Sequence, residues 1–181
     1  MKATSILALR FLPAATLAIW LLASAGAPAQ TQPVKPRLGV YDSRAVAVAY
    51  ANSTEFREEL KATRAEHERA KADNDTRKMK EIEARMKLGQ RRAHEQAFST
   101  GSVAGIMAKV SDKLPGVAEH AGVRAIVSKW ELNFSSSEVE TVDVTDELIA
   151  LFHVSDKGKT WAKGIQSAKP IPMEQITDDM D

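Results

Sequence analysis

The chain has 181 residues, with 25 Lys and Arg against 24 Asp and Glu, and no cysteine. That near-neutral balance argues against a general nucleic-acid binder, which needs a large positive excess to displace counterions. The absence of Cys excludes thiol catalysis, disulfides, lipid attachment through cysteine and cysteine-based metal sites, so packing or assembly is expected to hold the fold together.

Residues 1–29 read as a secretory signal peptide. Lys2 and Arg10 supply the positive end, and 11–25 is mostly apolar. Ala27-Pro28-Ala29 fits an A-x-A cleavage site before Gln30, with Ala23-Ser24-Ala25 as the competing cut. The apolar run is interrupted by Pro13 and is short for a membrane span of roughly 20 residues; an uncleaved anchor is the alternative. Removing this segment leaves about 150 residues, enough for one domain. The chain is thus expected to be exported to the periplasm.

Residues 37–41 (RLGVY) are a short strand candidate, and Asp42 or Ser43 can cap a helix after it. The run RAVAVAYA at 44–51 alternates enough for a strand, but its alanines and the cap favour a buried helix. Asn52-Ser53-Thr54 interrupts it. Phe56, Leu60, Thr63, His67 and Ala70 then recur at spacings of 4, 3, 4 and 3, which is a coiled-coil seam. Asp73-Asn74-Asp75 is a polar break. Beyond it Met79, Ile82, Met86, Gln90, Ala93 and Ala97 repeat the seam at spacings of 3, 4, 4, 3 and 4. Two matched seams around one short turn predict an antiparallel helical hairpin over about 54–98. The breaks at 52–54 and 99–102 mark its base.

Ser102 can cap a helix over about 103–121, in which Pro115 forces a kink or restart and Gly122 a stop. Residues 124–134 read as the best strand, with Ile126, Ser128, Trp130, Leu132 and Phe134 on one face. Ser135-Ser136-Ser137 is a turn and 139–144 a returning strand, which together predict a β-hairpin. Asp143 or Thr145 caps a short helix at about 146–152. The segment from His153 holds one weak helix, about 156–168, with Trp161 and Ile165 on one face and Pro170 and Pro172 after it. The fold class expected is α+β: a small β-body, made of a short N-terminal strand and a C-terminal β-hairpin, with a protruding helical hairpin. The division is 1–29, 30–152 and a C-terminal extension, 153–181.

This pattern resembles the Skp/OmpH family of periplasmic chaperones. The residues that carry the resemblance are the opening strand Leu38-Gly-Val-Tyr-Asp42, the charged hairpin, the segment Gly122-Val-Arg-Ala-Ile-Val127, and above all Val142-Asp-Val-Thr-Asp-Glu-Leu148. It covers roughly residues 37–152. The resemblance implies a homotrimer whose strands join into one body and whose arms surround a cavity. It also implies partners that are unfolded outer-membrane or exported proteins, held there without nucleotide. The chain departs from the family in its shorter arms, in a break at Gly101 and in the extension after 152.

Seven basic residues between Thr76 and Arg92 stand against Glu81 and Glu83. Their long stems can lie against apolar client segments while the charges stay wet. Lys80, Arg85 and Lys87, with the adaptable Met79 and Met86, are the candidate client contacts, set against a plain reading as solvated face and hairpin core. The basic stretch also suits peripheral contact with anionic lipid. Trp130, Leu132 and Phe134 are the candidate assembly contacts, or else pack within one chain. The four histidines are scattered, and His94-Glu95 lacks the second His of a zinc-protease motif. Asp143, Asp146 and Glu147 are better explained by capping than by metal binding. No nucleophile elbow or phosphate-cradling loop is present. The chain is therefore expected to be no enzyme and to need no cofactor. The rival expectation is a structural or adaptor protein of the envelope that binds a folded partner through the hairpin.

Overall fold

The computed structural model describes residues 35–177; the expected signal peptide lies outside them. Among the described residues the fold is α+β, with seven α-helices and one three-stranded parallel sheet. None of these helices is long and apolar enough to cross a membrane.

Strand β1 (Arg37–Tyr41) leads into α1 (Ser43–Ala51), whose first turn is capped by the Asp42 side chain accepting from the Arg44 N–H. Seven of the nine α1 residues are buried. A helix that is apolar nearly all round belongs in the interior, and α1 packs against four other helices. Helix α2 (Thr54–Ala72) starts where the Ser53 hydroxyl accepts from the Phe56 N–H at 3.2 Å, and α3 (Thr76–Phe98) where Asp75 accepts from Lys78 at 2.9 Å. Between them Asn74 takes φ 54°, a left-handed turn that asparagine tolerates. The expected hairpin is present, with its turn at the expected place.

The single helix anticipated over 103–121 is two, α4 (Ala104–Ala108) and α5 (Leu114–Ala121). Pro115 sits in the first turn of α5, where its missing N–H leaves nothing unsatisfied. Gly122 ends α5 at φ 65°, and the Val123 N–H closes back to the Ala118 carbonyl at 2.9 Å.

The expected β-hairpin is not formed. Strands β2 (Ile126–Ser128) and β3 (Glu140–Asp143) lie on opposite sides of β1, both parallel to it, in the order β2-β1-β3. Gly39 is level with Ile126 on one side and Val142 on the other. A methyl group on Gly39 would lie 3.1–3.2 Å from Val123, the Ala125 carbonyl and Ile126, so the close approach of β2 depends on this glycine. The strand expected over 124–134 stops at Ser128, and Trp130, Leu132 and Phe134 share no strand face with Ile126. The cause is tertiary: the Lys129 N–H still reaches the Tyr41 carbonyl at 2.8 Å, but the Trp130 indole then turns to the Asp42 carboxylate at 3.0 Å. Residues 129–139 carry the chain across to β3, as parallel pairing requires of its connections.

After β3, the Asp143 carboxylate accepts from the Thr145 N–H at 2.9 Å and opens α6 (Thr145–Ile149). Helix α7 (Asp156–Ser167) packs along α1 and contributes Ala162 to the same core as Val46, Tyr50, Leu148 and Phe152. It is seated so closely that a methyl group on Gly158 would fall 2.6 Å from Asn52 Cβ. A 3₁₀ turn, Met173–Gln175, comes next.

Candidate functional site

The two arms α2 and α3 meet along the predicted seam. Phe56, Leu60, Thr63 and His67 are half-buried and Ala70 is buried, facing half-buried Met79 and buried Ile82. From 57 to 92, Ala70 and Ile82 are the sole buried residues. At 1.5 Å per residue, 19 and 23 residues make arms of about 28 and 34 Å.

Away from the tip the seam opens. Met86 is 38% exposed and Gln90 is exposed, so the second half of the α3 seam is not closed against α2. The result is a cleft of 690 Å³ between the arms, with Phe56, Leu60, Met86 and Ala93 as its apolar walls and Glu59, Glu83, Arg85 and Lys87 at its margins. On the outer side of α3, Leu88 is 59% exposed.

Ion pairs stitch the arms together. Glu66 of α2 receives Arg85 and, at 3.1 Å, Lys78 of α3. Hydrogen bonds from these two cations hold the Glu66 carboxyl below its ordinary range and raise Lys78. His67 Nε2 lies 3.2 Å from Glu83. Such exposed pairs are screened by solvent and stabilise little; they set the register of the arms more than they stabilise them.

The roots of the arms are tied to the body. Lys109 reaches Glu59 at 2.6 Å, and His153 Nδ1 reaches Glu55 at 2.6 Å. Partial burial opposes ionisation of Glu55, but hydrogen bonds from His153 prevail and bring its carboxyl down to about 2. The Thr54 N–H donates to the His153 carbonyl at 3.1 Å, and Ser53 bridges Val154. On the return side the Ile171 N–H donates to the Phe98 carbonyl at 2.8 Å, satisfying an acceptor that the end of α3 leaves open.

The predicted site residues divide into two places. Met79, Met86, Lys80, Arg85 and Lys87 all lie on α3: Met79 is in the seam, Met86 over the cleft, Arg85 is paired with Glu66, and Lys80 and Lys87 are exposed. Trp130 lies in the body. Its ring is 4.7 Å from the Arg44 guanidinium carbon and its N–H is on Asp42. Leu132 is half-buried and Phe134 is 81% exposed, and with β2 ending at Ser128 no strand aligns the three on one face.

Three features carry little or no signal in the sequence. One is the fully buried pair Asp42–Arg44, 3.0 Å apart, in which Arg44 is 0% exposed. Two residues of opposite charge at i and i+2 after a strand give no sign that they will be buried. The second is exposed Leu88 on a charged helix. The third is an apolar groove of 770 Å³ at the root of the arms, between α1, the end of α3 and α7. The shared face of Trp161 and Ile165 is its one trace in the sequence. Among the described residues no group of three His, Asp or Glu is placed to hold a metal ion.

No family model, curated protein or solved structure matches this chain.

Proposed function

We propose that this protein is a nucleotide-independent holdase of the periplasm, related to the Skp/OmpH chaperones, that shields unfolded exported or outer-membrane proteins between the arms of a three-chain assembly. The observation that carries this reading is the hairpin itself: two long charged helices with a seam sealed near the tip and open at Met86 and Gln90, where apolar walls face water. A cleft with an apolar lining and margins of both charges can hold many unrelated apolar segments weakly, because nothing in it demands one shape. Three copies would add weak contacts into retention through effective concentration. The family resemblance supplies the client class and the number of chains.

The test is an aggregation assay. Several unrelated unfolded outer-membrane proteins should stay soluble at near-stoichiometric amounts of this chain, without ATP. Lys80→Glu combined with Arg85→Glu should alter capture and leave the melting transition of the body in place. Binding to one folded partner with no effect on those clients would replace this reading with that of an adaptor.

A further inference from the structure

Resting on the holdase reading, we propose that the groove at the root of the arms is a second client site, built by the C-terminal segment, for an extended apolar stretch flanked by carboxylates. Val48 and Ala51 of α1, Ala97 and Phe98 of α3, and Trp161 and Ile165 of α7 give it an almost wholly apolar lining. Trp161 is 50% exposed at its edge, a large ring left half in water where an apolar guest would cover it. Gly164 also lines the groove, and a methyl group built there meets nothing within 4 Å. Ala93 lines both this groove and the cleft between the arms, so one extended chain can run from one to the other.

Charge specifies the occupant. No Asp, Glu, Lys or Arg lines the groove among the described residues, and Asn52, His94 and Thr160 are its polar lining, so its guest is mainly apolar along the contact. Its cationic margin lies along α7: Lys157 Nζ sits 4.6 Å from the Trp161 ring, one helical turn before it, and Lys169 follows the lining residue Ala168 in sequence. The nearby carboxylates are matched by cations of their own helices: Glu95 by Arg91 at 3.2 Å, and Asp156 by Lys159 at 3.7 Å. An apolar stretch with acidic flanks complements that arrangement, whereas basic flanks would meet like charge.

The experiment titrates the full chain into three labelled peptides of about ten residues, read by fluorescence anisotropy. All share one apolar core, flanked by Asp, Ser or Lys. The Asp-flanked peptide should bind about fivefold or more tighter than the Lys-flanked one at low salt, with the gap narrowing as salt screens the margins. Gly164→Leu should weaken it about tenfold by filling the groove, while the better helix former keeps α7 folded. Equal affinity for all three peptides, or a Gly164→Leu chain that melts normally and binds as before, overturns the proposal. Failure of the native chain to suppress aggregation would instead count against the holdase reading, and the peptide titration would still report on the groove.

Discussion

Asp42 organises the sheet end of the body. It caps α1, pairs with Arg44 at 3.0 Å and Lys129 at 2.8 Å, and accepts from the Trp130 indole. Burial alone would raise its carboxyl. The hydrogen bonds from Arg44, Lys129 and Trp130 outweigh burial and bring it from 3.8 to about 2. A carboxyl lowered on folding contributes stability above its unfolded value and loses it as the pH falls through the folded one. Asp42 should therefore contribute roughly 2 kcal/mol at neutral pH, lost between about pH 4 and pH 2. Asp42→Asn should cost about 3–5 kcal/mol at pH 7, because it leaves Arg44 buried without its partner. It should also flatten that acid limb. Urea denaturation of both chains across this pH range checks the two effects together.

At the scale of the element, the hairpin hangs on very little dry contact. Ile82 is 0% exposed and, with Ala70, is the only buried point in the outer arms. Ile82→Ala should cost about 2–5 kcal/mol locally. Because the distal arms make few contacts with the core, that loss should appear as faster amide exchange between about 66 and 86, with the thermal transition of the body unmoved. A fall in that transition would mean that arm and body unfold as one unit. The seam is legible in the sequence because the 3.5-residue period marks a buried stripe whatever its partner. Its opening at Met86 and Gln90 is not, because periodicity states which face turns inward and not how tightly it closes.

At the scale of the whole molecule, segment 153–177 is part of the body. Ala162 and Val154 belong to the core, Arg44 Nη1 donates to the Ala168 carbonyl at 3.0 Å, and the same segment ties both roots of the hairpin. The exposed candidate for assembly is Phe134, in the 129–139 connection, whereas Trp130 is held within its own chain. Phe134→Asp should therefore lower the mass measured by light scattering toward that of a single chain and leave the melting temperature of dilute protein nearly unchanged. Trp130→Ala should instead lower stability first. A native chain that already scatters as one copy would remove the three-chain assembly.

The sequence by itself determined the elements with local causes: the capped, alanine-rich α1, the two-arm hairpin turning at 73–75, the helix restart at Pro115 and the stop at Gly122, and the short helices α6 and α7. Each arises from propensity, capping or period, which act within a few residues. Only the tertiary structure decided the sheet order, the burial of Arg44 with Asp42, and the groove walled by α7. Strand alternation records which face is apolar and is silent on which neighbour supplies the hydrogen bonds. Here β1 is paired along both edges, and the bend at Trp130 that carries the chain to the second of them is drawn by a carboxylate 88 residues away in sequence.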